Sequence, residues 1–410
     1  MTGAPPDLEQ DLPRVISVDD HVLEPPELWT SRLSGRHRDR APRVVRERGV
    51  LDVKTGGWSV DPAGAWADVW YYETVVKPLD RRFAAVGSDL KTLDAATVVT
   101  YDDIRSACWK QSDRLADMDA DHVDVSLCFP NTLPRFCGQT FAEEADKELG
   151  LLCVEAYNDW MIDEWAAGAG HGRLIPLTIL PLWDAGLAAA EMERCAAKGS
   201  FAVTFPEDPH FLGLPSIYTG HWDRFFAACA ATQTTICMHI GSSSRSPTTS
   251  PDAPHMVSST LTFQNGMGSL IDFVLSGTLA RFPGMKIAYS EANVGWMPYV
   301  LERMDRLWER RGSHTDYGSD LPAAPSSYIA GRVYGCIIDD VTGLANRERI
   351  GMDQICFETD YPHADATFPN TLTTIREICG EAGLDDDESY RLLRGNAITA
   401  FGLERFGITS

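Results

Sequence analysis

A chain of 410 residues with 44% hydrophobic and 10% aromatic content can bury a large core, which excludes a disordered chain and leaves open one α/β barrel with insertions. With 36 Lys and Arg against 59 Asp and Glu, the net charge of −23 repels nucleic-acid phosphates and anionic membrane surfaces, so neither is an expected partner. A small anionic substrate stays open, because a bound divalent cation dominates the field of its own pocket.

Residues 1–13 read as an acidic, Pro-containing tail, residues 14–405 as the folded domain and 406–410 as a short C-terminal tail. The N-terminus lacks the apolar run of a signal sequence, and no stretch reaches the roughly 18 apolar residues of a membrane span. Short runs rich in branched or aromatic residues predict strands at Arg14–Val18, Val123–Phe129, Leu174–Leu180, Ala202–Phe205, Thr235–His239, Lys286–Ser290, Val333–Ile338 and Ile355–Glu358. Amphipathic stretches predict intervening helices at Glu143–Ala166, Trp183–Lys198, Trp222–Thr232, Leu270–Arg281, Trp296–Arg310 and Asn370–Glu381. The alternation predicts an α/β fold, a (β/α)8 TIM barrel with right-handed crossovers.

The rhythm breaks at about residues 36–112, too long for a simple crossover between the first two strands. This insertion carries Trp58, Trp66, Trp70, Tyr71, Tyr72 and Trp109. It reads equally as a cap beside the barrel mouth, with Trp70 and Tyr72 as substrate contacts, and as a packing subdomain. The ten cysteines are scattered without a C-x-x-C pair, several inside apolar runs, so they predict buried reduced thiols and a cytoplasmic location.

Side chains at the C-terminal ends of parallel barrel strands converge on one mouth. The first strand runs into Asp19-Asp20-His21, where alternation sends Asp19 and His21 to one face; Glu207 follows the fourth strand, His239 ends the fifth, Glu291 follows the sixth, and Asp360 and His363 follow the eighth. Singly, each reads as a cap or a satisfied core group. Jointly, charged groups on five strands of an apolar wall would be costly to desolvate without a cation, so the set predicts a metal site of Asp19, His21, Glu207, His239, Glu291 and Asp360. His363 reads as a ligand, an acid or base, or a hydrogen-bonding support of Asp360.

The strings VISVDDHVLEPPELW, FPEDPHFLGLPSIYTGHWDRFF, CMHIGSSSR, YSEANVGWMPYVLERMD, FETDYPHADATFP and RGNAI together resemble the amidohydrolase-related proteins of the amidohydrolase superfamily's second family, over roughly Val15 to Gly402. The resemblance implies a metal-dependent barrel enzyme, in a family that includes hydrolases, non-oxidative decarboxylases and dinuclear non-haem iron or iron/manganese oxygenases. The superfamily pattern places H-x-H on the first strand, a carbamylated Lys on the fourth, His on the fifth and sixth, and Asp on the eighth. His21, His239 and Asp360 match it; Asp19, Glu207 and Glu291 stand in its other places.

Two His and four carboxylates repeat the ligand stoichiometry of carboxylate-bridged di-iron proteins, and hard oxygen ligands suit iron or manganese over zinc. The leading expectation is therefore a dinuclear iron or iron/manganese monooxygenase, using O2 to hydroxylate a C–H bond of a small organic substrate, with Glu207 as bridge. The alternative is a hydrolase or non-oxidative decarboxylase, with Zn in the hydrolase case and Glu291 or Asp360 as general base. A third reading is a catalytically degenerate partner subunit, against which six retained ligands argue. Glu291 and His363 are the expected catalytic residues, and a homo-oligomer, dimer or higher, is the expected assembly. His221 reads as a proton-delivery residue or a helix-start residue packed beside Trp222. Arg245, in the loop Gly241–Arg245, reads as an anion contact or as part of a solvated loop.

Overall fold

The computed structural model describes residues 12–53, 55–86, 88, 97–310 and 321–409. The expected N-terminal tail lies outside the described residues up to residue 11, as does Ser410. Among the described residues, eight parallel strand positions form the barrel: Val15–Val22, Val123–Pro130, Leu174–Ile175 with Leu177–Thr178, Ala202–Thr204, Thr235–His239, Lys286–Ser290, Val333–Ile337 and Ile355–Phe357. The third position is split at Pro176, which has no N–H to donate; its first half pairs with the second strand and its second half with the fourth. The ring closes where Asp360 N donates to Asp19 O at 3.0 Å and His21 N to Tyr361 O at 2.6 Å.

The helices follow from apolar spacing and from caps. In Ala185–Ala197, the Asp184 carboxylate accepts the Gly186 and Leu187 N–H groups, and Ala185, Ala188, Ala189, Met192 and Ala196 bury one face at helical spacing. Helices Asp223–Thr232, Gln264–Leu275 and Met297–Glu309 occupy corresponding crossovers, and Thr371–Ala382 follows the eighth strand. Ile16, Val18, Val125, Leu127, Ile175, Cys237 and Cys356 fill the barrel interior, and Ala397, Ile398, Phe401 and Leu403 near the C-terminus join the same cluster. All ten cysteines are buried and unpaired. Among the described residues no helix is long and apolar enough to cross a membrane.

Between the first and second barrel strands lies a four-stranded antiparallel sheet in the order Gly57–Val60, Arg43–Asp52, Ala65–Tyr72, Val75–Pro78. It is tied to the barrel mouth, because Ala85 N and Val86 N both donate to Pro362 O, at 2.9 and 3.2 Å.

A bulge in the first strand shapes the mouth. Ser17 pairs with Ser126 and Asp20 with Cys128, so three steps on one strand oppose two on the other. Ile16 and Val18 pack in the barrel interior, and the extra residue brings Asp19 to the same interior, which plain alternation from Val18 would not do. Asp20 turns the other way. It accepts from Ser17 Oγ at 3.0 Å, Thr359 Oγ1 at 2.5 Å, Tyr361 N at 3.0 Å and Ser126 Oγ, tying strands one, two and eight together.

Candidate metal centre

Five of the six expected ligands converge. Asp19, His21, His239 and Glu291 each offer a donor atom within 4.8 Å of the others, and so do His21, Glu291, Asp360 and His363. His21 Nε2 lies 3.1 Å from His239 Nε2, 3.3 Å from Asp360 Oδ1 and 3.7 Å from Asp19 Oδ1, and His239 Nε2 lies 3.3 Å from Asp19 Oδ2. Ligand atoms at about 2.0–2.2 Å around one ion stand roughly 3–3.5 Å apart, which is close to these spacings. His239 Nδ1 donates to Ile240 O at 2.7 Å, so its Nε2 presents a lone pair to the cluster.

The electrostatics of the metal-free protein are mutually frustrated. Burial, then the charges of Glu358, Glu291 and Asp360, push the Asp19 carboxyl well above its ordinary range. Burial, then Asp360, does the same to Glu291, and burial with Asp365 to Asp360. The imidazoles move the opposite way: burial, then His363 and His239, hold His21 well below its usual value, and burial lowers His239 to about 3. Neither oxygen of fully buried Asp19 has a hydrogen-bond partner among the described residues. A divalent cation supplies what the carboxylates lack and accepts the lone pairs the imidazoles offer; the residues therefore fit a metal ion.

Glu291 and His363 form the accessible edge, with side chains 21% and 13% exposed, while Asp19, His21 and Asp360 are fully buried. The His363 ring stacks on His21 at 3.9 Å. Asn131 Nδ2 donates to Phe83 O at 2.9 Å, which turns Asn131 Oδ1 toward His363 Nε2 at 3.2 Å. Nε2 therefore carries the proton, and Nδ1 faces Asp360 at 2.9 Å and Glu291 at 4.0 Å. Glu291 and Asp360 both hold left-handed backbones, φ 54° and 52°, conformations non-glycine residues adopt at a cost and that cluster at functional sites.

Glu207, the sixth expected ligand, is not among the grouped donors. The chain leaves the fourth strand with Glu207 N donating to Ser242 Oγ, and the carboxylate accepts from Gly241 N at 3.1 Å and Ser243 Oγ at 3.3 Å. The loop after the fifth strand thus holds Oε2, while Oε1 has no hydrogen-bond partner among the described residues. Trp70 and Tyr72 are likewise not on the opening: both are buried, packed edge-on against Trp29 at 5.2 Å and Phe141 at 5.4 Å. His221 is exposed beside Trp222 at 4.9 Å, and exposed Arg245 lies over the Phe211 ring at 4.7 Å, neither among the grouped donors.

Three residues were missed. Glu358 groups with Asp19 and Cys336, and accepts Glu291 N at 3.2 Å, which holds Glu291 in its left-handed conformation. Two positions before Asp360 at strand period, it could have been found by the alternation that located Asp19 and His21. Cys336 Sγ contacts Glu358 and Tyr289 O, and burial keeps its thiol protonated. Asn131, which orients His363, has no comparable signal in the sequence.

A family model described as amidohydrolase matches residues 94–403, more than half of the chain. The chain belongs to the amidohydrolase family. The match begins after the first barrel strand, so Asp19 and His21 of this amidohydrolase lie outside it. Its fold is similar to that of an amidohydrolase from Mycobacterium avium subsp. paratuberculosis K-10, at 19% identity and TM-score 0.66, covering 95% of this chain and 99% of that one. It is also similar to 2,6-dihydroxybenzoate decarboxylase from Rhizobium, at 15% identity and TM-score 0.59, covering 96% and 99%. A third similar structure is a dihydroxybenzoic acid decarboxylase from Polaromonas sp. JS666 with bound manganese and 2-nitroresorcinol, at 19% identity and TM-score 0.57, covering 73% and 89%. The amidohydrolase fold is thereby established for this chain, and its grouped donors suit a divalent metal.

Proposed function

We propose that this amidohydrolase is a metal-dependent, non-oxidative decarboxylase of a small aromatic acid. The observation that carries the reading is the compact spacing of His21, His239, Asp19 and Asp360, 3.1–3.7 Å between neighbouring donor atoms, which suits one cation without the Glu207 bridge. The named decarboxylase structures of the same fold support it. The di-iron monooxygenase expectation rested on two His and four carboxylates, and of these Glu207 is not among the grouped donors.

Asp19, His21, His239 and Asp360 would hold the ion, which when bound supplies a positive charge that fixes an anionic substrate and draws electron density from its ring. Glu291 and His363, at the open edge, manage the proton. The C–C bond to the carboxylate breaks, carbon dioxide leaves, and the electron pair stays on the ring carbon. A proton from the Glu291 carboxyl closes that carbon's valence; in the metal-free protein burial and Asp360 raise this carboxyl well above the ordinary range. His363, whose Nδ1 is 4.0 Å from Glu291 and whose ring Asn131 holds, is placed to take a proton from water and return it to Glu291. Phe136, stacked on His239 at 4.3 Å, and Phe83, edge-on to His363 at 5.7 Å, provide aromatic walls.

One observation favours a two-ion centre: Glu291 Oε2 faces His239 at 3.8 Å and Oε1 faces His363 at 4.0 Å, as a bridging carboxylate would. Elemental analysis and an anaerobic assay of hydroxylated benzoates separate the readings. Carbon dioxide released without O2 by protein holding one Mn(II) or Zn(II) per chain supports the decarboxylase. Two iron ions with turnover only in O2 would replace it with the oxygenase.

A further inference from the structure

The inserted sheet brings a cation to the mouth that the mechanism above does not use. Lys77 is the cross-strand partner of Trp70, and directly opposed residues of an antiparallel pair leave the same face. Trp70 points into the core, so Lys77 also points inward. Its ammonium donates to Thr132 O at 2.7 Å and lies 5.6 Å from the centre of the Phe83 ring, whose other neighbour is His363 at 5.7 Å. Thr132 follows Asn131, the residue that holds His363. Lys77 thus stands one aromatic ring away from the proton-handling edge.

Glu24 and Asp80 attract that ammonium from a distance, but neither pairs with it directly. Among the described residues no carboxylate comes within ion-pair distance of it. Glu24 is occupied by Asn131 N, Thr132 N and Thr132 Oγ1, and Asp80 by Arg82. Arg135, the neighbouring cation, is paired with Glu143 at 2.7 Å and repels Lys77 further. An ammonium with three donors and one acceptor, drawn from water in a chain of net charge −23, is a vacant anion contact.

We infer that Lys77 binds a second anionic group of the substrate, a carboxylate or phenolate on the far side of the ring from the metal-bound end. The substrate class is then an aromatic acid with a second anionic substituent, held between the Phe83 and Phe136 walls; this rests on the decarboxylase reading for its metal-bound end. The inserted sheet serves the barrel as a specificity element through Lys77, and Trp70 and Tyr72 anchor the sheet that carries it.

The test is calorimetric titration of the full chain loaded with Mn(II), using benzoate and isophthalate as probes that differ by one carboxylate. A charge-assisted hydrogen bond at a half-buried site is worth about tenfold or more, so isophthalate is expected to bind the wild type at least about tenfold more tightly than benzoate. Lys77→Met is expected to abolish that preference and Lys77→Arg to keep it. Equal affinities in the wild type, absence of isophthalate binding, or a preference that survives Lys77→Met overturns the inference. Should Lys77→Met fail to fold, by circular dichroism, Lys77→Gln and the wild-type comparison decide. Carbon dioxide release is scored separately: an isophthalate preference with no acid decarboxylated leaves the subsite and removes the decarboxylase, and decarboxylation without the preference does the reverse.

Discussion

At the scale of single residues, Asp19 and Glu207 part company although both looked like ligands. Asp19 is buried without a hydrogen-bond partner among the described residues and surrounded by carboxylates, so its charge is tolerable only with a cation beside it. Asp19→Asn is expected to lower bound metal by at least about tenfold in elemental analysis, and to raise the melting temperature of the chelated protein by removing an unmatched buried charge. Glu207 Oε2 accepts from Gly241 N and Ser243 Oγ and the residue is not among the grouped donors, so Glu207→Gln is expected to keep its metal content. Burial pushes Glu207 from 4.5 up to about 8. A folded-state value above the unfolded one means the folded protein binds the extra proton. That stabilisation is full below about pH 4.5 and is lost as pH rises through about 8. Melting temperature should therefore fall across this window, and fall less steeply in Glu207→Gln; an unchanged slope would place the titration elsewhere.

At the scale of elements, the first strand shows what was legible in the sequence and what was not. The strand positions and their polar C-terminal ends followed from apolar runs, because a parallel barrel strand must be buried on both faces. The bulge did not, since it depends on the Ser17–Ser126 and Asp20–Cys128 registers with a strand a hundred residues away. The destination of Glu207 was hidden for the same reason: the donors that capture it belong to the loop after the next strand. Trp70 and Tyr72 suggested contact with substrate by composition, but their parity on Ala65–Tyr72 points them into the core. Asp20 is the element-scale clamp, and its loss removes the shared acceptor of the Ser17, Ser126 and Thr359 hydroxyls and leaves Tyr361 N unmatched beside buried Arg114. Asp20→Ala is expected to destabilise the protein by on the order of 3 kcal/mol, read as a lowered urea midpoint, with Asp20→Asn less severe.

For the whole molecule, the metal site is where the closing strands of the barrel meet, so occupancy and global stability are coupled. Asp19 and His21 come from the first strand, Asp360 and Glu358 from just past the eighth, and the closing bonds Asp360 N to Asp19 O and His21 N to Tyr361 O run between the same residues. Without a cation, like charges press this seam apart; with one, they are drawn together. An ion present at about 1,000 times its dissociation constant stabilises the folded state by about 4 kcal/mol. With the typical unfolding entropy per residue, that is about 5 °C in a chain of 410 residues. Chelation is therefore expected to lower the melting temperature by about this amount near neutral pH, and Mn(II) to restore it. The difference should shrink in acid. Asp19, Glu291 and Asp360 are all raised in the metal-free fold, so protonation relieves that form, while the same protons compete with the ion for its ligands. Melting curves of chelated and Mn(II)-loaded protein should converge as pH falls toward the ordinary carboxylate range; curves that stay parallel would mean the ion binds somewhere other than this seam.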